Sequence, residues 1–523
     1  MVIKSRKIHS QRLKRRKPQF TTKRKFFLVS MALFFFFEGQ IMEIGTGSFS
    51  RRAGFTILAL STLLLIALAP RRPARHMWIA FVGCLLIMWP LIAFVIPANV
   101  AWIVGAGLAV TQVGVTLALA MRFAVKNFLQ LQELQATAPV ATRLPLAQCS
   151  FVHITDLHVT IDERTARYQG GRGGYEGLQR CLCLIKKLRP RYVFVTGDIT
   201  DTGSQIEWSR FMGAIRAEVS SSTRVIMAPG NHDLSPHYAE DGHHKMRSFL
   251  EYQAALAPDL VASNDQTIGT VVAEAMIAIE PRIDERKSEL QRAASFWPNH
   301  FLCLLGGEED LYRRMFLYSA LRPELQGLHD IAKETLLDDW FEDRWHDLFP
   351  LHLAAPEEGI FLIVLNSISP SMQTIGDSAL GAFGAGQLNR LTQLLDSIAP
   401  WTRTVIILLH HPCFRRPGEW RLPFPNPFVK GTGWFSNLQQ MFDLAFLAHD
   451  AEEGRNFVDL VSAVADKKRG VDFFILCGHR HHQAAGQAGR ATFLEGSSLS
   501  ESDASAWLIY LASDRPVLHS ASL

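Results

Sequence analysis

The chain has 523 residues, 54 Lys and Arg against 49 Asp and Glu, and a formal net charge of +5. That length supports more than one domain and a full hydrophobic core. The seven cysteines are scattered and include no C-x-x-C pair, so neither a zinc ribbon nor a disulfide framework is suggested and a reducing compartment is favoured.

Residues 1–25 carry many Lys and Arg and no acid. Such a tail suits anionic lipid or nucleic acid, or acts as a disordered segment that sets membrane orientation; no nucleic-acid partner is expected. A start at Met42 is the alternative. Apolar runs follow at 54–70, 77–97 and 100–121, each near the ~20 residues that span a bilayer as a helix. A shorter run at 26–37 is a possible fourth span. None of the three long runs has an Asp, Glu, Lys or Arg in its interior, so anchoring is expected rather than transport. Arg71, Arg72 and Arg75 follow the first long run, and Arg122 and Lys126 the third. With these basic loops inside, the expectation is a multi-pass membrane protein with three or four helices, a cytoplasmic C-terminal domain and membrane lipid as a partner. Residues 127–148 read as a linker.

From residue 149 short β-branched runs alternate with amphipathic segments, which predicts a layered α/β domain over 149–523. Ser150-Phe151-Val152-His153-Ile154 reads as a strand running into Thr155-Asp156-Leu157-His158. A helix is expected over 174–188. The strand Arg191–Val195 follows and ends in Thr196-Gly197-Asp198. After a helix over 204–219, Val225-Ile226-Met227-Ala228 leads into Gly230-Asn231-His232-Asp233. Residues 240–356 carry helical periodicity and many charges, and read as a helical insertion near the site. The sheet resumes at 360–367, with a helix over 386–398. A strand over 404–409 ends in His410-His411-Pro412. Residues 434–468 read as largely helical, and the strand over 471–476 ends in Cys477-Gly478-His479-Arg480-His481. Final strands are expected at 491–494 and 506–511.

Five strands thus end in Asp-x-His, Gly-Asp, Gly-Asn-His-Asp, His-His-Pro and Gly-His-Arg-His. Strand ends of an open α/β sheet line the crevice where ligands bind. Carboxylate, amide and imidazole together suit Mn, Fe, Zn or a mixed pair rather than Ca. Absence of cysteine from the set argues against a structural zinc site.

The ordered blocks resemble those of the calcineurin-like metallophosphoesterase family, over about 149–512 with the insertion between. Asp-Leu-His, Gly-Asp-Ile-Thr-Asp-Thr-Gly, Gly-Asn-His-Asp and His-His-Pro are similar to its cyclic-nucleotide-phosphodiesterase-like branch. The resemblance implies a four-layer α/β/β/α sandwich behind the all-α transmembrane region. It also implies two divalent ions, one held by Asp156, His158 and His481 and one by Asn231, His410 and His479. Asp198 bridges them, His232 stands near the leaving-group oxygen and Asp233 orients it. His410 is preferred to His411, which is placed one step further out. The expected activity is hydrolysis of a phosphodiester or phosphomonoester by metal-bound hydroxide, since two cations about 4 Å apart neutralise the phosphoryl oxygens. The alternative is a non-hydrolytic scaffold or sensor binding a partner. His237, His243 and His244 are expected to face solvent, and Arg164, Arg167 and Arg172 are candidates to meet substrate phosphate.

Overall fold

The structure is a computed structural model and describes residues 130–134, 136–142, 149–160, 174–234, 245–296, 325–368, 381–415, 450–500, 504–511 and 516–523. Its elements in chain order begin with β1 (Gln132–Glu133), β2 (Ala136–Thr137), β3 (Phe151–Ile154), α1 (Gly174–Leu188), β4 (Tyr192–Thr196), α2 (Gln205–Glu218) and β5 (Arg224–Ala228). Next come α3 (Asn231–Leu234), α4 (Lys245–Leu256), α5 (Ile268–Ile279), α6 (Ile283–Phe296), α7 (Leu325–Leu348), β6 (Leu351–Ala355), β7 (Ile360–Val364) and α8 (Ala385–Asp396). The last are β8 (Thr404–Leu408), β9 (Phe414–Arg415), α9 (Ala451–Lys467), β10 (Asp472–Cys477), β11 (Ala484–Ala488), β12 (Ala491–Glu495), β13 (Ser505–Leu511) and β14 (Pro516–Ser522).

Two mixed sheets carry the domain. One runs β2-β11-β12-β10-β8-β7-β6 and the other β14-β13-β3-β4-β5. Strands β3, β4, β7 and β8 are buried at every position and largely apolar, as strands covered on both faces must be. Alternate residues divide between two cores. Leu362, Val364, Ile406, Leu408, Phe474 and Leu476 join the core that holds Phe151, Val152 and Val193. Phe361, Ile363, Val405, Ile407, Phe473 and Ile475 turn the other way and meet Leu391 and Leu395 of α8 and Phe457, Val458 and Val461 of α9. Each such buried side chain contributes roughly 1.5–3 kcal/mol. The period-two split places one sheet against the other and covers the larger one with helices.

Register brings the strand ends together. In the smaller sheet Ile154 pairs with Val195, and Thr196 with Ala228, all in parallel. The residues that follow, 155–158, 197–198 and 230–233, therefore emerge side by side. In the larger sheet Val364 pairs with Leu408 and Leu408 with Leu476. That aligns Asn366-Ser367, His410-His411 and Gly478-His479. A bridge between Thr155 and Ser498 ties the smaller sheet to the loop after β12.

The stretch 240–356 holds α4 to α7, as its periodicity predicts, but its end forms β6, an edge strand antiparallel to β7. Its helices pack on the shared core through Phe249, Val271, Leu336, Phe341 and Trp345. The expected linker is also ordered where described. Strand β1 pairs in parallel with β9, directly after His410-His411-Pro412-Cys413. Strand β2 extends the larger sheet through β11. The Ala141 amide donates to the Leu518 carbonyl of β14 at 2.7 Å. This strap touches both sheets and buries Leu131 and Leu134.

The expected multi-pass membrane placement is corrected. Among the described residues no helix is long and apolar enough to cross a membrane. The longest of those in chain order, α7, spans 24 residues but carries Asp330, Lys333, Glu334, Asp338, Asp339, Glu342 and Asp343, whose charges a bilayer core does not accept. The runs at 26–37, 54–70, 77–97 and 100–121 lie outside the described residues. Membrane anchoring, a lipid partner and a cytoplasmic side for the domain are therefore not carried further.

Candidate metal centre

The five strand ends converge. Asp156, His158 and His481 form one cluster of potential donor atoms, and Asp156, Asp198 and His410 another; within each, all lie within 4.8 Å of one another. His481 Nε2 is 3.3 Å from Asp156 Oδ1 and 3.4 Å from His158 Nε2. His410 Nε2 is 3.0 Å from Asn231 Oδ1 and 3.0 Å from His479 Nδ1. Asp198 also reaches across to the first cluster, with Oδ2 3.3 Å from His410 Nε2 and 4.0 Å from His158 Nε2. All are buried except His481, which is half-buried.

Second contacts hold these groups in place. The Thr155 hydroxyl donates to Asp156 Oδ2 at 2.6 Å and the His479 amide at 2.9 Å. The His232 amide donates to Asp198 Oδ1 at 2.8 Å. His410 Nδ1 donates to the Thr196 carbonyl at 2.7 Å; a carbonyl only accepts, so Nε2 is the nitrogen turned to the cluster. Upstream, Ser204 caps α2 in a capping box with Glu207. The same carboxylate takes the Thr202 amide and hydroxyl at 2.9 and 2.8 Å, which anchors the loop after Asp198.

Backbone conformation marks the same residues. Among the described residues, seven other than glycine have positive φ, and five are Asp156 at 51°, His158 at 43°, Asp198 at 47°, His479 at 74° and His481 at 56°. The left-handed region costs roughly 1–2 kcal/mol for such a residue. Strain of this kind persists where the surroundings enforce it and collects at functional sites.

Electrostatics decide which positions draw positive charge. Burial opposes ionisation of Asp198, but His410 and His232 outweigh it and hold the carboxyl well below the usual range. For Asp156 burial is likewise overcome by His481. Burial disfavours a proton on His410, yet Asp198 raises its pKa to about 9. Burial and the neighbouring His410 push His479 down to about 3, which keeps its ring neutral. Buried carboxylates, an amide and imidazoles without a thiolate are the donors of a hard-to-borderline divalent ion. Cys477 adjoins the set but turns its thiol to the Leu494 carbonyl at 3.6 Å. The residues present therefore fit a cation pair.

Asp233 takes a different place from the one expected. Its Oδ1 accepts the Thr200 amide and hydroxyl at 2.9 and 2.8 Å, and Oδ2 accepts the Gly230 and Ile199 amides at 2.9 and 3.3 Å. It pins two loops together, while burial and then Asp198 raise its pKa to about 6. The His232 ring instead bonds the Asp201 carbonyl through Nδ1 at 2.7 Å. Asp201, inside the quoted Gly-Asp-Ile-Thr-Asp block, was not singled out from sequence. Its Oδ1 lies 3.6 Å from His158 Nδ1 and 3.8 Å from His232 Nδ1. His237, His243, His244, Arg164, Arg167 and Arg172 lie outside the described residues.

Between the two histidines of the last block, Arg480 is buried against Glu495, with two bonds of 2.8 Å. Sequence gave no sign of this pair, since its partner comes from β12. Replacing Arg480 with Met leaves a buried carboxylate and should destabilise the fold by about 3–5 kcal/mol, while Arg480→Met with Glu495→Leu recovers most of it. Urea denaturation of the two variants checks this; equal losses in both would reject it.

The model of the calcineurin-like phosphoesterase family matches residues 149–398. The match stops before His410, His479 and His481, which join the centre through the geometry above. A search of curated proteins finds no match. Among solved structures the chain is similar to a dimetal phosphatase from Danio rerio, at 15% identity and TM-score 0.35, over 72% of this chain and 96% of that one. It is also similar to the phosphopantetheinyl hydrolase of Mycobacterium tuberculosis, at 14% identity and TM-score 0.27, over 68% and 91%.

Proposed function

We propose that the chain hydrolyses a phosphodiester or phosphomonoester at a pair of divalent metal ions. Asp156, His158 and His481 would hold one ion and Asn231, His410 and His479 the other, with Asp198 within reach of each. The observation that carries this reading is the reach of Asp198 Oδ2 to a histidine of each cluster, 3.3 Å to His410 and 4.0 Å to His158. When bound, such a pair neutralises phosphoryl oxygens and makes water a nucleophile at neutral pH.

The chain's own groups do the rest. Asp198 sets the spacing of the two halves, held at Oδ1 by the His232 amide. His232 is fixed through Nδ1 to the Asp201 carbonyl, and as the imidazolium it would give the leaving oxygen a proton from Nε2. Burial lowers the pKa of this ring, while Asp198 acts to hold its proton. Asp233 acts through the loops, holding residues 199–200 against Gly230. Asp201 positions the rings of His158 and His232.

The test uses the intact chain with a chromogenic phosphodiester and a phosphomonoester. Turnover should appear with Mn²⁺, vanish with a chelator and return on adding the ion back. A rate indifferent to chelation removes the proposal. Two tightly bound ions without turnover of either ester would favour the binding scaffold instead.

A further inference from the structure

Ser367 follows β7 and stands beside the end of β8. Its Oγ accepts the amides of His410 at 3.2 Å and His411 at 3.0 Å. A hydroxyl oxygen has two lone pairs and one proton to give. Both lone pairs are engaged, so the 3.1 Å contact to His411 Nδ1 is made by donating that proton. A neutral imidazole that accepts at Nδ1 carries its own proton on Nε2. His410 is the reverse, since its Nδ1 donates to the Thr196 carbonyl. The two adjacent histidines thus use Nδ1 in opposite senses, His410 donating and His411 accepting. Proximity does not separate them, because His410, His411 and His479 each bring a donor atom within 4.8 Å of the others.

We propose that Ser367 sorts this pair. By donating to His411 it withholds that ring from the metal and leaves His410 as the ligand of the two. His411 becomes a positioning residue. Its ring packs on His479 at a centroid distance of 4.2 Å and on His410 at 4.9 Å, and its backbone is tied to β7 through the same hydroxyl. The inference rests on the metal pair proposed above and adds a role for a strand end, 366–367, that contributes no ligand itself.

The experiment counts Mn²⁺ ions bound per intact chain by titration calorimetry and reads the ring nitrogens of His411 by NMR. Wild type should bind two ions. His411→Phe keeps the ring packing without its nitrogens and should still bind two, whereas His410→Phe should bind one. Ser367→Ala should weaken one ion about 10–100-fold, and Ser367→Thr, which keeps the hydroxyl, should restore it. The NMR signal of wild type should report a proton on Nε2. Loss of an ion in His411→Phe, unchanged affinity in Ser367→Ala, or a neutral ring protonated on Nδ1 overturns the inference. If Ser367→Ala does not fold, the two Phe variants and the NMR signal decide it. Failure of wild type to bind a pair at all sinks the underlying reading and not this one alone.

Discussion

Replacing Asp198 with Asn should cut kcat by about a thousandfold, equivalent to about 4 kcal/mol of lost transition-state stabilisation. The amide keeps the shape of the side chain and removes its charge. Three histidines lean on that charge. His410 lies 3.3 Å from Oδ2 and owes to it the rise of its pKa to about 9 against the cost of burial. His158 lies on the other side, and His232 binds the far oxygen through its amide. The substitution should therefore also cost bound metal, which elemental analysis would read on the same sample. The sign of the pH effect follows from the depressed pKa. Stability from this carboxylate is complete above about pH 4 and falls away as pH drops through the lower value of the folded chain. Turnover close to wild type in Asp198→Asn, with the fold intact by circular dichroism, would reject the role of Asp198.

A second large effect is expected at Gly230. A Cβ there would lie 1.9 Å from the Asp198 amide nitrogen and 2.3 Å from its Oδ1. The first is backbone, so no change of rotamer relieves it. Gly230→Ala should destabilise by about 3 kcal/mol, the upper end of overpacking. Because it pushes Asn231 and Asp198 apart, it should also lower kcat by at least about a hundredfold, the effect of an ångström's misplacement. Gly213 supplies the control. It lies within α2 with nothing within 4 Å of its own Cβ position, and Gly213→Ala should stabilise by about 0.5–1 kcal/mol. Thermal unfolding and kcat of the two variants give the comparison. A Gly230→Ala protein as stable and active as Gly213→Ala would mean the loops are not packed as described.

The five converging strand ends were legible because each combines two local signals. An unbroken apolar run marks a strand buried on both faces, and Asp, Asn or His follows it at once. Helices α1 and α2 were readable for the same local reason. What the chain hid was set by partners far away in sequence. Strand β11, Ala484-Ala485-Gly486-Gln487-Ala488, has no β-branched residue to announce it. Strands β6 and β14 alternate weakly and are fixed by the neighbour they pair with. Ser367 is an ordinary serine until β8 sets two amides over it, and Asp233 is a plausible partner for His232 until four donors from two loops claim it. Period and propensity are local quantities, whereas these roles are relations between segments.

The ordered strap carries a practical consequence for anyone who trims the protein. Residue 149, where the family match starts, is the obvious cut. A fragment begun there would lose β1 from β9, and with it the bond from Arg415 Nε to the Leu131 carbonyl. Leu134, which fills the space over Gly486 that no Cβ could share, would go too, baring the rim of the larger sheet to other chains. A stable fragment of this domain should begin ahead of residue 130.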